Sequence, residues 1–381
     1  MRVLFGVTGS VAAHRGLEAA RLVAKAGHTV RCILTRNAME FVRPLAFRSL
    51  VGETYTDEDF FTGALHIELS AWSECRVVAP ATANIMAKVA RGIADDLLST
   101  TLLAAGPPVI FVPGMHESMW LAPATQENAG MLARQGHIVM EPVTGDLSAG
   151  RGIGRMRSPE EIAGYVEDWA GVVDSMRGKR VLVAYGPTAE PLDPVRVVTN
   201  LSSGRMGVEL CRAARAAGAF VTAVRGPGAP IAPAHDSHSI KTARELMELM
   251  ARLTPEHSVV IMASAVADFR PERVSRKKIG RRGSLRIEMK PTPDILAGLP
   301  RKRGQVFVGF CLGDERGLLD DAMAKMASKR VDLMVANDLS SPGAEEARFL
   351  LIRKKKTTDL GVISKARASF AIIREIAGII G

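Results

Sequence analysis

The stretch "GPTAEPLDPVRVVTNLSSGRMG", residues 186–207, concentrates side chains that can do chemistry between an apolar strand pattern and a helical one. In an α/β domain that junction is where nucleotides bind, and spaced glycines are expected there. This stretch supplies instead prolines, Asp193, Asn200 and a Ser202-Ser203-Gly204-Arg205 tail. Earlier in the chain, "GVTGSVAAH" sets Gly9 and Ser10 at a helix start, where backbone N–H groups and a hydroxyl can meet a phosphate. Thr35, after the next strand pattern, is placed to do the same. "APATANIMAKVAR" opens another helix with Ala81, Thr82, Ala83 and Asn84. His66 stands ahead of a helical segment, and imidazole is a usable base near neutral pH. Taken singly, these are a turn, a loop and a packed histidine.

The elements that must position them repeat. "RVLFGVTGS" and "RVLVAYGPT" are both short apolar strands running into a Gly-containing turn. Each is followed by an amphipathic helix that stops at a glycine and enters another apolar strand, a βαβ opening met twice. Further apolar runs, "RVVAPA", "PVIFVPG", "SVVIMAS", "QVFVGF", "VDLMVAN" and "RFLLIRK", alternate with helical patterns. This predicts parallel sheets covered on both faces, with binding at the carboxyl ends of their strands. The fold class is therefore α/β, with two doubly wound, Rossmann-like domains. Ser158 and Glu161 have capping-box spacing for a helix closing the first half, and the domains are expected at 1–175 and 176–381.

Composition narrows the function. No apolar run reaches the length of a membrane span, so no membrane partner is expected and a cytoplasmic location is the default. Cys32, Cys75, Cys211 and Cys311 form no CxxC pair, which argues against a zinc knuckle or a disulfide framework. The net charge of +10 includes basic runs at 276–286 and 353–357. With only 3 Trp and 3 Tyr, and no aromatics between those charges, anionic small substrates explain the sign and no nucleic acid is expected. A solvated face is the plain reading of 353–357.

In the first half, "GVTGSVAA", "LTRNAMEFVRPLAFRSL", "HIELSAW", "APATANIMAKVARGIADDLL" and "PGMHESMW" resemble, in order and spacing, the flavin-containing cysteine decarboxylases. The resemblance implies a flavodoxin-like flavoprotein domain. It implies FMN between the subunits of a trimer, held by Gly9, Ser10, Thr35 and Ala81 to Asn84, with His66 matching the catalytic histidine. The substrate it implies is phosphopantothenoylcysteine, oxidised at the thiol carbon so that CO₂ can leave, then reduced to the pantetheine thiol. Met115 and His116 fall on a substrate motif that usually ends in Asn. Arg155 falls in the glycine-rich clamp, where Ala149 stands at the position of the usual cysteine donor.

The second half resembles phosphopantothenate–cysteine ligases through residues 186–207 and, in order, "SAVADFRPERVSRKKI", "PDIL", "VGF" and "DLMVANDLS". The resemblance implies phosphopantothenate and cysteine as substrates. A nucleoside triphosphate, CTP or ATP, forms an acyl-nucleotide with Mg²⁺. On that resemblance Ser202, Ser203, Gly204 and Arg205 take the substrate phosphate, and Asn200 holds the acyl carbonyl. Asp268, Pro293, Asp294, Ile295, Leu296, Phe310, Lys325 and Lys329 contact the nucleotide, and Lys278 closes on the triphosphate. Pro291 and Thr292 replace the usual Lys-Asn, and "GFCLGDE" replaces "GFAAE", which leaves the base open. Together the halves resemble the fused decarboxylase/ligase family of coenzyme A biosynthesis, implying a homo-oligomer, a dodecamer of trimeric decarboxylase and dimeric ligase units. The alternative is an active ligase fused to a flavin-binding domain with weak or no decarboxylase activity.

Overall fold

The structure is a computed structural model that describes every residue except Ser148, Ala149, Arg282, Gly283, Ser284, Glu315, Ser340, Pro342, Glu345, Lys355 and Gly381. It divides into two compact units, Met1–Val173 and Asp174–Gly381.

In the first unit β1 (Arg2–Val7), β2 (Thr29–Leu34), β3 (Thr54–Thr56), β4 (Cys75–Ala81), β5 (Val109–Pro113) and β6 (Ile138–Val139) form one sheet. All its pairings are parallel, in the order β3-β2-β1-β4-β5-β6. β1 and β4 are buried almost throughout because both faces carry helices. This is the doubly wound, Rossmann-like class; within it the strand order is 3-2-1-4-5-6, not the 2-1-3-4-5 order of flavodoxin. The chain reverses direction across the sheet between β1 and β4, so a crevice opens at the carboxyl ends of those two strands. Gly16, in the helix Ala13–Lys25, lets that helix lie close to β4: a Cβ there would meet Ala79 O at 2.3 Å. A separate hairpin, β7 (Val143–Leu147) with β8 (Gly150–Arg155), precedes the helix Pro159–Ala170. Ser158 and Glu161 close that helix start as a reciprocal capping box.

The second unit repeats the order and extends it. β9 (Arg180–Pro187) begins it, followed by a small hairpin of β10 (Ala189–Pro191) and β11 (Val197–Thr199). The sheet continues with β12 (Phe220–Arg225), β13 (Asp236–Ser239) and β14 (Val259–Ala265). A second hairpin pairs β15 (Phe269–Pro271) with β16 (Met289–Pro291). β17 (Val306–Gly313), β18 (Leu333–Asp338), β19 (Glu346–Arg353) and β20 (Lys356–Ser364) complete the set. The large sheet runs β13-β12-β9-β14-β17-β18-β19-β20, parallel as far as β18 and antiparallel beyond. Here the crevice lies between β9 and β14. Gly207 does for the helix Arg205–Ala216 what Gly16 does in the first unit, since a Cβ would meet Tyr185 Cβ at 2.1 Å.

Candidate functional site

Each crevice gathers loops from several strands. In the first unit Thr8 follows β1; its Oγ1 donates to Pro80 O at 2.7 Å and accepts from Thr82 N at 3.1 Å. Those bonds fasten together the loops that flank the crevice. Ser10 Oγ donates to Gly114 O at 3.1 Å, which adds the loop after β5. Gly9 has no space for a side chain, because a Cβ would meet Asn37 Cβ at 2.5 Å, and so the loop containing Thr35 closes in. Thr35 Oγ1 accepts from Ala38 N at 3.3 Å. Thr82 caps the helix Ala83–Arg91 by accepting from Ile85 N, with Asn84 exposed beside it. Gly9, Ser10, Thr35 and Ala81 to Asn84 therefore converge on one end of one sheet. Their donor set of backbone amides and hydroxyls suits a phosphorylated flavin.

His66 is the second residue of the helix Leu65–Trp72 and is half-buried. Its Nδ1 is buried without a hydrogen-bond partner, and Phe60 meets the ring edge-on at 6.2 Å between centroids. A buried polar atom left unpaired costs on the order of 1–3 kcal/mol, which sets this imidazole apart from a histidine satisfied within the core. Among the described residues no hydrogen bond ties His66 to the crevice loops. Met115 N donates to Gly154 O at 3.0 Å, and Glu117 Oε1 accepts from Ile153 N at 3.0 Å. These bonds dock the hairpin β7–β8 on the "PGMHE" loop. Gly152 and Gly154 permit the approach: a Cβ would lie 2.8 Å from the Glu117 carboxyl carbon or 2.2 Å from Met115 O. Arg155 is exposed at the end of that hairpin, and Ala149 lies outside the described residues. Burial, and then Arg155, hold the Arg15 guanidinium below its ordinary pKa, so two cations face this region. His116 caps the helix Glu117–Trp120 through Nδ1, which accepts from Ser118 N at 3.2 Å. Histidine here does what the family's asparagine would also do as an N-cap.

In the second unit Thr188 follows β9. Its Oγ1 accepts from Ala267 N at 3.0 Å, and its carbonyl accepts from Thr199 Oγ1 at 2.7 Å. Asn200 Nδ2 donates to Ala265 O at 3.2 Å and Val266 O at 3.1 Å. Thr292 Oγ1 donates to Ala267 O at 2.6 Å, while Thr292 N donates to Asp268 O at 2.9 Å. The signature stretch, the loop after β14 and the segment before "PDIL" are thus one network at the β9–β14 crevice. Asp294 caps the helix Ile295–Gly298 and accepts an ion pair from Lys329 Nζ at 3.4 Å. Lys325 is exposed one turn before Lys329, and Pro293 is exposed beside Asp294. Ile295 and Leu296 point into the core instead, and Phe310 on β17 is half-buried. The side chains of those two aliphatic residues are therefore taken up by the core.

Gly204, at φ +71°, opens the helix Arg205–Ala216, whose first turn carries no acid. Ser203 Oγ accepts from Arg205 N at 3.5 Å. Helix N-termini carry partial positive charge, and Arg205 adds to it. Lys278 is exposed on the loop between β15 and β16. Among the described residues no three His, Cys, Asp or Glu side chains gather as a metal-holding group. The four cysteines are free and buried, and burial pushes the thiols of Cys32, Cys75 and Cys211 well above the usual range.

Two families account for these crevices. Residues 1–171 match the family described as Flavoprotein, and residues 176–379 match the DNA/pantothenate metabolism flavoprotein C-terminal domain. The chain is 36% identical over 393 residues to the coenzyme A biosynthesis bifunctional protein CoaBC of Bacillus subtilis, with 99% of this chain and 97% of that protein covered. It belongs to the CoaBC family. The protein of the same name from Mycobacterium tuberculosis (strain ATCC 25618 / H37Rv) is 39% identical over 366 residues, covering 91% of this chain and 88% of that one. A cysteine/cysteine sulfinic acid decarboxylase from an unknown prokaryotic organism is 40% identical over 326 residues, covering 82% and 90%. The first unit is thus the flavoprotein half of a bifunctional decarboxylase and ligase of coenzyme A biosynthesis, and the second is its ligase half. No helix among the described residues is long and apolar enough to cross a membrane.

Thr8 and Glu117 are site-builders that sequence reasoning passed over, and Thr292 enters it only as a departure from the usual Lys-Asn. All three lie inside or beside the quoted motifs. Their partners, however, are tens of residues away in the chain, and spacing alone carries no trace of them.

Proposed function

We propose that this chain joins phosphopantothenate to cysteine with CTP in its second unit and decarboxylates the product in its first, in the cytoplasm. The observation that carries this reading is the coverage of both units by one bifunctional family, each with its loops gathered at the sheet's switch point.

In the ligase reaction a carboxylate oxygen of phosphopantothenate attacks the α-phosphorus of the triphosphate, and pyrophosphate leaves. The amine of cysteine then attacks the acyl carbon, forming the amide and releasing the nucleoside monophosphate. Two anions must meet, so positive charge is the main requirement. Ser202, Ser203, Gly204 and Arg205 hold the substrate phosphate at the helix start. Asn200 sits where the acyl carbonyl forms and exchanges its amide donors from Ala265 O and Val266 O to that oxygen. Asp268, Pro293, the backbone of Ile295 and Leu296, and Phe310 bound the nucleoside, with Asp294, Lys325 and Lys329 beside them. Lys278 neutralises the triphosphate. When bound, Mg²⁺ would add positive charge beside the triphosphate; among the described residues no cluster of acidic side chains gathers to hold it without the nucleotide.

In the first unit FMN fits the set Gly9, Ser10, Thr35 and Ala81 to Asn84, with backbone amides at the helix start taking its phosphate. When bound, it supplies two-electron redox chemistry that no side chain here offers. His66 takes the proton that the substrate gives up, using the ring whose Nδ1 stands unpaired. Met115, His116 and Arg155 hold the substrate under the hairpin.

A triphosphate panel read by pyrophosphate release, with product masses followed under anaerobic conditions, tests both halves. CTP is expected to give phosphopantothenoylcysteine and then loss of CO₂. Turnover with ATP at an equal rate would overturn the choice of base. An intact ligase whose product never loses CO₂ would establish the fused-ligase alternative.

A further inference from the structure

The loop that carries Lys278 is fastened at two points to the loop that precedes Asn200. Ser275 N donates to Leu192 O at 3.0 Å, and Ile279 N donates to Asp193 Oδ2 at 3.1 Å. Arg276, Lys277 and Lys278, all exposed, form a short cationic strap between the two ties. The Asp193 side chain is 0% exposed. Its Oδ1 accepts from Val195 N and Arg196 N, each at 2.8 Å, in an Asx-type turn. Arg196 closes the ring: Nη2 donates to Ile279 O at 3.1 Å, and Nη1 lies 3.7 Å from Asp193 Oδ2. Both backbone groups of Ile279 are therefore held, by an aspartate and an arginine from the signature stretch.

A turn at 193–196 needs only one carboxylate oxygen. The second oxygen is turned on a residue 86 positions away, one step from Lys278. The Ile279 amide also contributes most to holding the Asp193 carboxyl below its ordinary pKa, so the charged form is the one that fits.

We infer that Asp193 is a positioning residue of the ligase: by latching Ile279 it fixes the cationic strap and presents Lys278 to the triphosphate. The inference rests on the reading of Lys278 given above. An unlatched strap, still tied at Ser275, would sample open arrangements, and apparent affinity falls by the fraction of time the competent one is populated. Asp193→Asn tests this selectively. The amide can still accept at one oxygen for the turn at 193–196, but it then turns an NH₂ on the N–H of Ile279.

In the full-length protein, D193N is expected to raise the KM for CTP about tenfold, the value for a competent fraction reduced to about one tenth. Trypsin cleavage after Arg276, Lys277 and Lys278 is expected to speed up, while the KM for phosphopantothenate and the melting temperature stay near wild type. D193N and K278Q combined should lose no more than K278Q alone, because the latch acts through that lysine. Unchanged CTP KM and trypsin protection would overturn the latch. So would additive losses, or a matching rise in the phosphopantothenate KM with a large drop in melting temperature. If K278Q alone releases pyrophosphate normally, the role given to Lys278 fails, and cleavage rates in D193N then decide whether the latch exists.

Discussion

Asn200 gives both hydrogens of its side-chain amide to the carbonyls of Ala265 and Val266, whereas Lys278 stands exposed on a loop of its own. The two residues should therefore fail differently when changed. Lys278→Gln removes charge needed while carboxylate and triphosphate approach, and electrostatic contributions of this kind are worth about 10²–10³ in rate. Pyrophosphate release is expected to fall by that order. Asn200→Asp leaves that charge in place but sets a carboxylate against two carbonyl oxygens, so pyrophosphate release should persist while transfer to cysteine slows. Equal loss of pyrophosphate release in both variants would refute the division. The histidines of the first unit separate in the same manner. His66→Asn removes the unpaired imidazole, and bleaching of oxidised-flavin absorbance by phosphopantothenoylcysteine should stop altogether. His116→Asn keeps a good N-cap on the helix Glu117–Trp120, so its folding consequence is small. With Ala149 where the usual cysteine donor stands, we propose His116 as the motif residue that returns a proton in the reductive step, so bleaching and CO₂ loss should continue in that variant while the colour returns more slowly. Anaerobic stopped-flow absorbance checks both, and colour return at the wild-type rate would leave His116 only a positioning role.

At the scale of elements, His257 shows how a buried polar group ties the second unit together. Nδ1–H donates to Leu253 O at 2.8 Å, and Nε2 lies 2.8 Å from Thr222 Oγ1, an arrangement the neutral ring satisfies with the hydroxyl as donor. Burial lowers its pKa below the ordinary 6.5. An unfolded chain then takes up this proton first, so the stability is present above about pH 6.5 and is lost as pH falls toward the folded pKa. Melting of the second unit should fall across that window in wild type and less steeply in His257→Gln; parallel curves would exclude this histidine as the cause. Such ties mark where sequence reading stops. The apolar runs at β4, β5, β14, β17 and β18 are buried on both faces and read directly as parallel strands. β20, "KTTDLGVIS", buries no residue fully and mixes polar with apolar residues, so it carries no strand signal. Ile295 and Leu296 read as nucleotide contacts because they sit in a motif, yet they serve the core. Glu190, inside the signature stretch, accepts from Ala243 N at 2.8 Å and so ties that stretch to the start of the helix Ala243–Leu253, a bond that spacing does not reveal. In both halves the motifs coincide with loops gathered at the sheet's crevice, but motif membership does not distinguish side chains that face the crevice from those that hold the loop.

For the whole molecule, assembly follows from what each unit leaves uncovered. Phe61, a few residues before His66, is 91% exposed, and Phe41, Leu45 and Leu50 are exposed on the same unit. Leu201, next to Asn200, is also 91% exposed, with Val195, Phe269 and Val362 exposed on the second unit. Large apolar side chains left bare beside site residues are costly in a monomer and usual at an interface. We propose that the first unit forms trimers and the second forms dimers, which gives the chain two different closed symmetries to satisfy at once. Four trimers joined through six dimer contacts satisfy both and leave no interface open, which gives a particle of twelve chains. Light scattering of the flavin-loaded protein should give a mass about twelve times the 40.8 kDa of one chain. Leu201→Asp should break the dimer contacts and leave trimers that keep their flavin. Phe61→Asp should break the trimers and leave ligase-competent dimers that lose flavin on dilution. A flavin-bound monomer would refute the assembly, and a twelve-chain mass unchanged in both variants would show that other residues make the contacts.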